Sequence, residues 1–363
     1  MSAKQLAKEP IYLSSDNWSG AHPNIVQAMT AANTGMWAPY GLSDRDAALD
    51  AQFSDLFETE TSVFLCTTGT AANALAVASL MRPGDFLYTH SEAHIRVDEC
   101  GAPAFLSPGL QVEGVGGSHG KISLEQLDFA LKTTVGGGLN AGRVGALSLT
   151  QATEAGTLYT LVEIDERIDA IRRCRRDAPI HMDGARFANA IAANDVSPAD
   201  MTWRRGVDVL SFGGTKNGCW CAEAILVFNP TYAEHMAYIR KRSGHLASKM
   251  RFMTAQFEAY LHNNLWLALA QSANEKAAKL EAMVNASPKI RVVWPRQINE
   301  VFAVLAETDL IKLQEKGLHC AQWQPPMAER NKVGADEAMI RLVPSWATGD
   351  DDLERFAKLL GTL

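Results

Sequence analysis

Short apolar runs alternate with segments of helical periodicity between about residue 60 and residue 230. The runs are rich in β-branched and aromatic residues, whereas the intervening segments repeat apolar residues at the spacing of an α-helix. Buried strands that alternate with helices predict an α/β protein with a mostly parallel sheet, covered by helices on both faces. The predicted strands are the runs at 61–65, 86–90, 144–150, 179–183, 207–214 and 224–228.

The predicted helices fill the intervals between these strands. The stretch after Pro23 and the segment 47–57 have helical spacing, and the segment 71–81 is rich in alanine. Three consecutive glycines at 136–138 predict a surface loop. Further helices are predicted over 123–133, 161–174 and 201–207.

The pattern changes after about residue 233, where a long helical stretch leads to shorter strand-like runs at 290–294, 301–307 and 339–343 and to a closing helix at 351–363. This order is typical of a smaller α+β domain. We therefore predict three parts of the chain. They are an N-terminal arm (1–20), a large domain built on the parallel sheet (21–250) and a small C-terminal domain (251–363).

Composition narrows the class of protein. The chain has 363 residues, of which 47% are hydrophobic and 21% charged, as in soluble globular enzymes. Its net charge of −7 argues against nucleic acid or an anionic membrane as a partner. The first residues, MSAKQLAKEP, lack the apolar region of a signal peptide, and no apolar run is long enough to span a bilayer. With only 6 cysteines, a disulfide framework is not expected, so we predict a cytoplasmic enzyme.

Small polar residues mark the first candidate site. Thr68, Gly69 and Thr70 follow the predicted strand 61–65 and begin the next helix. Backbone N–H groups and hydroxyls at a helix start suit a phosphate group. The segment lacks the lysine and the spacing of a P-loop, so nucleotide binding is not indicated. A plain helix N-cap is the alternative interpretation of the threonines.

A strand-end carboxylate marks the second candidate site. Asp183 ends the predicted strand 179–183 and is followed by Gly184-Ala185-Arg186. A buried carboxylate needs a compensating cation. A protonated pyridine nitrogen would serve, and the carboxylate would keep that ring protonated as an electron sink. An internal ion pair between Asp183 and Arg186 is the alternative.

A glycine-flanked lysine marks the third candidate site. Lys216 lies in the string SFGGTKNG (211–218), where glycines allow close backbone approach. A partly desolvated lysine loses its proton more easily, as a Schiff-base amine must. A solvent-facing loop lysine is the alternative. The order of phosphate-type turn, strand-end aspartate and glycine-flanked lysine is that of an aspartate-aminotransferase-like fold, so we predict pyridoxal 5'-phosphate as the cofactor.

Histidines offer a competing interpretation. His90 and His94 are spaced for metal binding on one helix, but no third ligand follows and Cys219-x-Cys221 lacks a second pair, so no metal is predicted. His94 has a better use, because an imidazole stacked on the pyridine ring would hold it in plane. A satisfied core histidine is the alternative. No G-x-G-x-x-G follows a strand, which argues against a dehydrogenase.

Seven strings, taken together, resemble the low-specificity L-threonine aldolases, and most of all their pseudomonad-type branch, which includes phenylserine-active enzymes. The resemblance spans nearly the whole chain and implies a pyridoxal-phosphate enzyme of fold type I, with a seven-stranded sheet in the large domain. The strings are TGTAAN (68–73), HIRVDECGAP (94–103), QATEAGTLY (151–159), HMDGARFANA (181–190), VDVLSFGGTKNG (207–218), LASKMRF (246–252) and RLVPSW (341–346).

The resemblance also implies roles for residues that would hold the cofactor. Lys216 would bond to it covalently, Asp183 would pair with the pyridine nitrogen, and His94 would stack on the ring. Gly69 and Thr70 would hold the phosphate.

Further roles follow for the substrate and for assembly. Ser15, Arg186 and Arg341 match the residues that bind the substrate carboxylate. Arg251 matches a position that approaches the phosphate of a neighbouring subunit, and Tyr40 one that contributes to a neighbour's pocket. The resemblance thus implies a homodimer or homotetramer with shared active sites.

The implied reaction is a retro-aldol cleavage of L-threonine, L-allo-threonine or other β-hydroxy-α-amino acids, such as phenylserine, to glycine and an aldehyde. One position departs from many bacterial relatives, which have a histidine where this chain has Glu154. Glutamate could accept a hydrogen bond from the substrate hydroxyl, act as a base, or pair with an arginine. The threo or allo preference therefore stays open. A β-eliminating lyase or an aminotransferase is the alternative function, whereas the presence of Lys216 and Asp183 argues against a non-catalytic binding protein.

Overall fold

A computed structural model describes residues 10–363 of the chain. Residues 1–9 of the predicted N-terminal arm thus lie outside the described residues. The strands, in chain order, are β1 (Ile11–Tyr12), β2 (Ser62–Cys66), β3 (Asp85–His90), β4 (Gln111–Val115), β5 (Arg143–Thr150), β6 (Ile180–Gly184), β7 (Val209–Gly213), β8 (Glu223–Val227), β9 (Ile290–Val292), β10 (Val301–Ala306), β11 (Leu318–His319), β12 (Ala321–Gln322) and β13 (Glu337–Leu342).

The helices connect and cover these strands, and none of those described is long and apolar enough to cross a membrane. In chain order they are α1 (Pro23–Ala32), α2 (Asp44–Phe57), α3 (Gly69–Leu80), α4 (His94–Val97), α5 (Ala102–Leu106), α6 (Leu124–Gly137), α7 (Leu161–Cys174), α8 (Phe187–Ala193), α9 (Pro198–Met201), α10 (Ala233–Arg242), α11 (Arg251–Leu261), α12 (Leu265–Ala286), α13 (Glu307–Glu315) and α14 (Asp350–Leu360).

The central sheet has seven strands in the order β2-β8-β7-β6-β5-β3-β4. β8 runs antiparallel to both of its neighbours, and the other pairings are parallel. The predicted α/β class and the mostly parallel seven-stranded sheet are therefore confirmed. Parallel strands bring their carboxyl ends to one edge, and there Asp183 on β6 is in register with Thr150 on β5 and Ser211 on β7.

Alternating side chains of the central strands enter two different cores. Leu210 and Phe212 on β7 join the core under α2, α7, α8 and α11, whereas Val209 joins the core under α3 and α10. Both faces of the seven-stranded sheet are therefore buried, which is why the central strands are continuous apolar runs in the sequence. The alanine-rich helix α3 is buried along most of its length because small side chains let it lie close to the sheet.

A third core lies in the C-terminal part of the chain, around the four-stranded sheet in the order β12-β13-β10-β9. Helix α12 serves two cores. Its Trp266 and Leu269 pack in the core of the seven-stranded sheet, and its Leu280 and Val284 pack in the third core. β1 pairs in parallel with β11, so the described part of the predicted arm lies against the C-terminal part. The domain bounds at residues 20 and 250 stay predictions.

Three local features differ from the sequence-based expectation. The glycines at 136–138 are not simply a loop, because α6 continues to Gly137 and ends where Gly138 adopts a φ of 53°. β4 was not predicted, because it carries no continuous apolar run: its first four residues are exposed or half-buried at one edge of the sheet. The segment 201–207 is the end of α9 followed by a short 3₁₀ turn at Trp203–Arg205, not a full helix.

We expect Phe212→Ala to destabilise the protein by about 3–5 kcal/mol, because it removes a fully buried ring from a packed cluster. Chemical denaturation followed by circular dichroism measures the change. The exposed Phe129 offers a matched control, and Phe129→Ala should stay within about 0.5 kcal/mol of the wild type. Equal midpoints for the two variants would contradict this account. Six aromatic side chains have ring centroids within 6.3 Å of that of Phe212, namely Phe53, Phe57, Phe187, Phe257, Tyr260 and Trp266.

Candidate active site

A cavity of about 260 Å³ opens at the carboxyl ends of the central strands. It brings together six of the predicted site residues, which lie far apart in the sequence. They are Gly69, Thr70, His94, Glu154, Asp183 and Lys216. A larger cavity of about 390 Å³ lies near the beginnings of β3 and β5 and contains none of them. Ligands in open α/β sheets bind at the carboxyl ends of the strands, so the smaller cavity is the candidate site.

The amino end of α3 faces this cavity. Thr68 is the N-cap, and its Oγ1 accepts a hydrogen bond from the N–H of Ala71 at 3.1 Å. The N-cap interpretation thus holds for Thr68, while Gly69 and Thr70 line the cavity itself. The amino end of a helix carries a partial positive charge and unpaired N–H groups, so this wall suits a phosphate.

Asp183 ends β6 as a buried carboxylate. Its Oδ1 accepts a hydrogen bond from the N–H of Ala185 at 3.0 Å, and its Oδ2 accepts one from Nδ2 of Asn73 at 2.8 Å. The alternative ion pair with Arg186 does not form, because Arg186 pairs elsewhere. Within residues 10–363, no lysine, arginine or histidine nitrogen lies within 4.0 Å of this carboxylate. A buried anion facing a cavity fits a protonated ring nitrogen.

His94 is connected to Asp183 by a chain of hydrogen bonds. Its Nδ1 lies 2.9 Å from Oε1 of the buried Glu99, and Nδ2 of Asn73 donates to the same oxygen at 2.7 Å. The hydrogen bond to Glu99 is the main reason that the pKa of His94 is raised, although burial opposes it. Burial in turn raises the pKa of Glu99. His94 borders the cavity, and its Nε2 takes no part in this chain of hydrogen bonds.

Lys216 lies in a tight turn between β7 and β8. The turn ends at Gly218, whose φ is 110°. Glycine suits this position because a residue with a side chain would be strained at such an angle. The buried carboxylate of Glu223 accepts hydrogen bonds from the N–H groups of Gly214 at 3.0 Å and Thr215 at 3.4 Å. Burial raises the pKa of Glu223. Lys216 is half-buried and lines the cavity, so it is not a solvent-facing loop lysine.

Glu154 lies between two cavities. It borders the one that contains Lys216 and a neighbouring one of about 360 Å³, whose walls include Trp294 and Trp323. In the described part of the chain, no arginine lies within 4.0 Å of its carboxylate. The structure therefore does not pair Glu154 with an arginine.

The three residues predicted to bind the substrate carboxylate do not line the cavity but lie around one buried ionic cluster. Arg186 contacts Asp16 and Glu300, and Arg341 also contacts Glu300. Ser15 precedes Asp16, and its Oγ accepts a hydrogen bond from the N–H of Asn17 at 3.2 Å. Asn17 borders the cavity, which brings this cluster next to it.

Tyr40 and Arg251 do not border the cavity within the described chain. The guanidinium of Arg251 lies over the ring of Trp37 at 5.2 Å and donates to the carbonyl of Ala32 at 2.9 Å. The ammonium of Lys241 lies 4.9 Å from the ring centre of Tyr40. A role for either residue in a neighbouring subunit stays a prediction.

Several polar residues of the site were not predicted from the sequence. Asn73 and Glu99 lie inside strings that carry the family resemblance, and Asn73 follows Thr70 by one helical turn, so their positions offered a signal. Nothing local marks the other three, which are Asp16, Glu223 and Glu300. Two of them, Asp16 and Glu300, have partners that are distant in the sequence.

These groups together fit pyridoxal phosphate. One wall is a helix start with threonine hydroxyls, another presents a buried carboxylate that no described cation contacts, and a third presents a lysine amine. These are the groups needed to hold a phosphate, a protonated pyridine ring and an aldehyde carbon, respectively.

The sequence and the fold are similar to those of known enzymes. The model of the β-eliminating lyase family matches residues 12–308. A low specificity L-threonine aldolase of Pseudomonas aeruginosa is 39% identical over 347 residues, which cover 95% of this chain and 94% of that protein. Another, from a Pseudomonas species, is 39% identical over 305 residues, which cover 84% of this chain and 86% of that protein.

A solved structure has nearly the same fold. The threonine aldolase of Leishmania major superposes with a TM-score of 0.88 at 27% sequence identity. The match covers 97% of this chain and 99% of that chain. Both the large sheet and the C-terminal part therefore have counterparts in that enzyme.

We expect Glu99→Gln to lower the pKa of His94. The substitution removes the carboxylate that stabilises the protonated imidazole, so His94 would release its proton at a lower pH than in the wild type. An NMR titration of histidine-labelled protein, with His94 assigned from a His94→Asn variant, measures the midpoint. Glu337→Gln, which alters a carboxylate paired with Arg291 far from this cavity, is the control. An unchanged midpoint in Glu99→Gln would show that this contact does not set the protonation of His94.

Proposed function

The chain belongs to the β-eliminating lyase family, and we propose that it is a pyridoxal-phosphate-dependent aldolase that cleaves β-hydroxy-α-amino acids to glycine and an aldehyde. One observation carries the proposal. A single cavity combines a lysine, a buried carboxylate that no cation of residues 10–363 contacts, and a histidine bonded to a carboxylate. The relatives at 39% identity, named low specificity L-threonine aldolases, support L-threonine and its analogues as substrates.

The cofactor would be held at three points. Gly69 and Thr70 would bind its phosphate at the start of α3, Asp183 would pair with its ring nitrogen, and Lys216 would bond to its aldehyde carbon. His94 would lie against the ring. When bound, pyridoxal phosphate supplies an electron sink for the electron pair of the breaking Cα–Cβ bond. Asp183 supports that chemistry by keeping the ring nitrogen protonated.

The substrate carboxylate would be bound by Arg341, Arg186 and Ser15. Arg186 uses Nε and Nη2 in its contacts with Asp16 and Glu300, which leaves Nη1 outside these contacts. Arg341 is fixed by the ring of Trp323, 4.3 Å from its guanidinium carbon. A carboxylate held by two fixed guanidinium groups has a defined orientation, which sets the direction of the Cα–Cβ bond.

Two residues are placed to take the proton of the β-hydroxyl. His94 uses Nδ1 to contact Glu99, so Nε2 is available for proton exchange. Glu154 borders the same cavity and has no arginine partner within the described residues. A water molecule between the two side chains would let them act together. Lys216 would return a proton when the product leaves.

Transamination and β-elimination need the same lysine, aspartate and phosphate site, so the cavity alone does not distinguish the reactions. The names of the relatives favour the aldolase. Phenylserine-type substrates and the threo or allo preference belong to this proposal. The range of substrates and the threo or allo preference depend on how the substituent of the β-carbon fits beside Glu154 and in the neighbouring cavity.

We further propose a homodimer or homotetramer in the cytoplasm. The segment around Tyr40 is exposed, and Arg251 lies beside it, so both are placed to reach a neighbouring subunit. The cytoplasm is supported by the 6 cysteines, all of which are unpaired.

We expect the purified, cofactor-loaded protein to release glycine and acetaldehyde from L-threonine, and Lys216→Ala to abolish this activity because it removes the amine that holds the cofactor. Product analysis by chromatography checks the reaction, and absorbance checks the cofactor. D-threonine is the control substrate. A keto acid with ammonia, or a new keto acid with an aminated cofactor, would favour the lyase or the aminotransferase instead.

We also expect that mixing inactive Lys216→Ala and Arg251→Ala subunits restores activity. If Arg251 serves a neighbour's site, mixed dimers contain one site with both changes and one with none. About a quarter of the wild-type activity would then return after subunit exchange. Each variant exchanged with itself is the control. No recovery, with exchange verified by mass-tagged subunits, would place Arg251 outside the shared site.

A further inference from the structure

Four ionisable side chains form a buried cluster beside the candidate active site. They are Asp16, Arg186, Glu300 and Arg341, contributed by the N-terminal segment, the segment after β6, the residue before β10, and β13. The side chains of Asp16 and Glu300 are at most 2% exposed, and that of Arg186 is 5% exposed. Two arginines and two carboxylates leave the cluster without net charge, as a buried group of ions requires.

The two carboxylates are bound very differently. Asp16 makes a bidentate contact with Arg186, at 2.8 Å to Nε and 3.0 Å to Nη2, and Asn299 donates to it at 3.1 Å. Among the described residues, Glu300 makes only two long ionic contacts, each 3.3 Å, from its Oε1 to Nη2 of Arg186 and to Nη1 of Arg341. Its other oxygen, Oε2, is buried and accepts no hydrogen bond from any described residue.

Substrate binding changes the charge of this cluster if the same two arginines hold the amino-acid carboxylate. A third negative charge would face two positive ones in a place shielded from water. Such an excess of charge inside a protein is relieved by protonation of the most weakly held group. Asp16 is excluded by its close contacts, which leaves Glu300.

We propose that Glu300 is an exchangeable counter-ion. It balances Arg186 and Arg341 in the free enzyme and takes one proton from solvent, forming an O–H bond on its carboxyl group, when the substrate carboxylate binds to these arginines. The charged groups that face Glu300 are Arg186, Arg341, Asp16 and Glu154. The inference rests on the proposed function in one respect, the binding of an amino-acid carboxylate at the two arginines.

The protonation behaviour of the two carboxylates agrees with this assignment. Burial raises the pKa of Glu300 in spite of the two arginines, and the charges of Asp16 and Glu154 act in the same direction. Burial also opposes ionisation of Asp16, but Arg186 and its other partners outweigh it and hold the pKa of Asp16 at about 2. Of the two, Glu300 is therefore the carboxylate that accepts a proton more readily.

Proton uptake on ligand binding tests the proposal directly. Glycine has the carboxylate but no β-carbon, so it binds to the cofactor-loaded enzyme without cleavage. Calorimetric titration with glycine in buffers of different ionisation enthalpy counts the protons taken up, and proton exchange by the cofactor is common to all variants. We expect Glu300→Gln to take up about one proton fewer than the wild type. Glu337→Gln, a change on the same strand as Arg341 but outside the cluster, should match the wild type.

The kinetics of L-threonine cleavage provide a second readout. If Glu300 must take up a proton when L-threonine binds, binding weakens as the pH rises above the pKa that Glu300 has in the free enzyme. The loss is up to about tenfold for each pH unit. The KM of the wild type should therefore rise with pH relative to that of Glu300→Gln. If Glu300 only positioned the arginines, Glu300→Gln would instead raise KM at every pH by a constant factor.

The outcomes separate this inference from the proposed function. Equal proton uptake in wild type and Glu300→Gln, or a KM ratio that does not change with pH, would overturn the inference while threonine cleavage stands. A difference in uptake without threonine cleavage would keep the inference and overturn the reaction. Absence of glycine binding to the wild type would overturn both. Glu300→Met, an uncharged side chain of similar size, replaces Glu300→Gln if the latter loses its cofactor absorbance.

Discussion

The fold must keep the carboxyl group of Asp183 inside the protein at the end of a central strand, and much of the site follows from this requirement. Asp183 is held by two hydrogen bonds but by no cation of the described chain. Its position requires β6 to lie in the middle of a parallel sheet, where the ends of β5 and β7 bring Glu154 and Lys216 to the same edge. A carboxylate in this environment is stable only with a positive partner, which the ring nitrogen of the cofactor would supply.

A second set of buried charges joins the two parts of the molecule. Arg186 follows β6 of the seven-stranded sheet, whereas Glu300 precedes β10 and Arg341 lies on β13 of the four-stranded sheet, and the three side chains meet in one cluster. Helix α12 connects the same two parts through apolar contacts, since its first half packs in the core of the seven-stranded sheet and its second half in the third core. The two arginines proposed to bind the substrate are therefore held in fixed relation to Lys216 by both polar and apolar contacts. A rigid arrangement of this kind orients a bond for cleavage at little entropic cost during the reaction.

The sequence predicts the centre of this structure better than its edges. The central strands are buried on both faces, so they read as apolar runs, whereas β4 pairs on one side only and carries no such run. Lys216 and Asp183 are recognisable because glycines and a strand end mark them locally. Glu300 is not, because its burial depends on partners that only the folded chain brings close. The sequence could not show either that Arg186 does not pair with Asp183, since Arg186 pairs instead with Asp16 from the N-terminal segment.

The composition of the ionic cluster has a consequence for how the enzyme is made. A ribosome synthesises Asp16 and Arg186 long before Glu300 and Arg341, and domains generally begin to fold from the N-terminal side during synthesis. The seven-stranded sheet, with Lys216 and Asp183, is complete in sequence once β8 has emerged. The second arginine arrives only with β13, near the end of translation. A nascent or prematurely terminated chain thus contains Lys216 and Asp183 before it contains Arg341, and the ionic cluster is the last part of the site that synthesis completes.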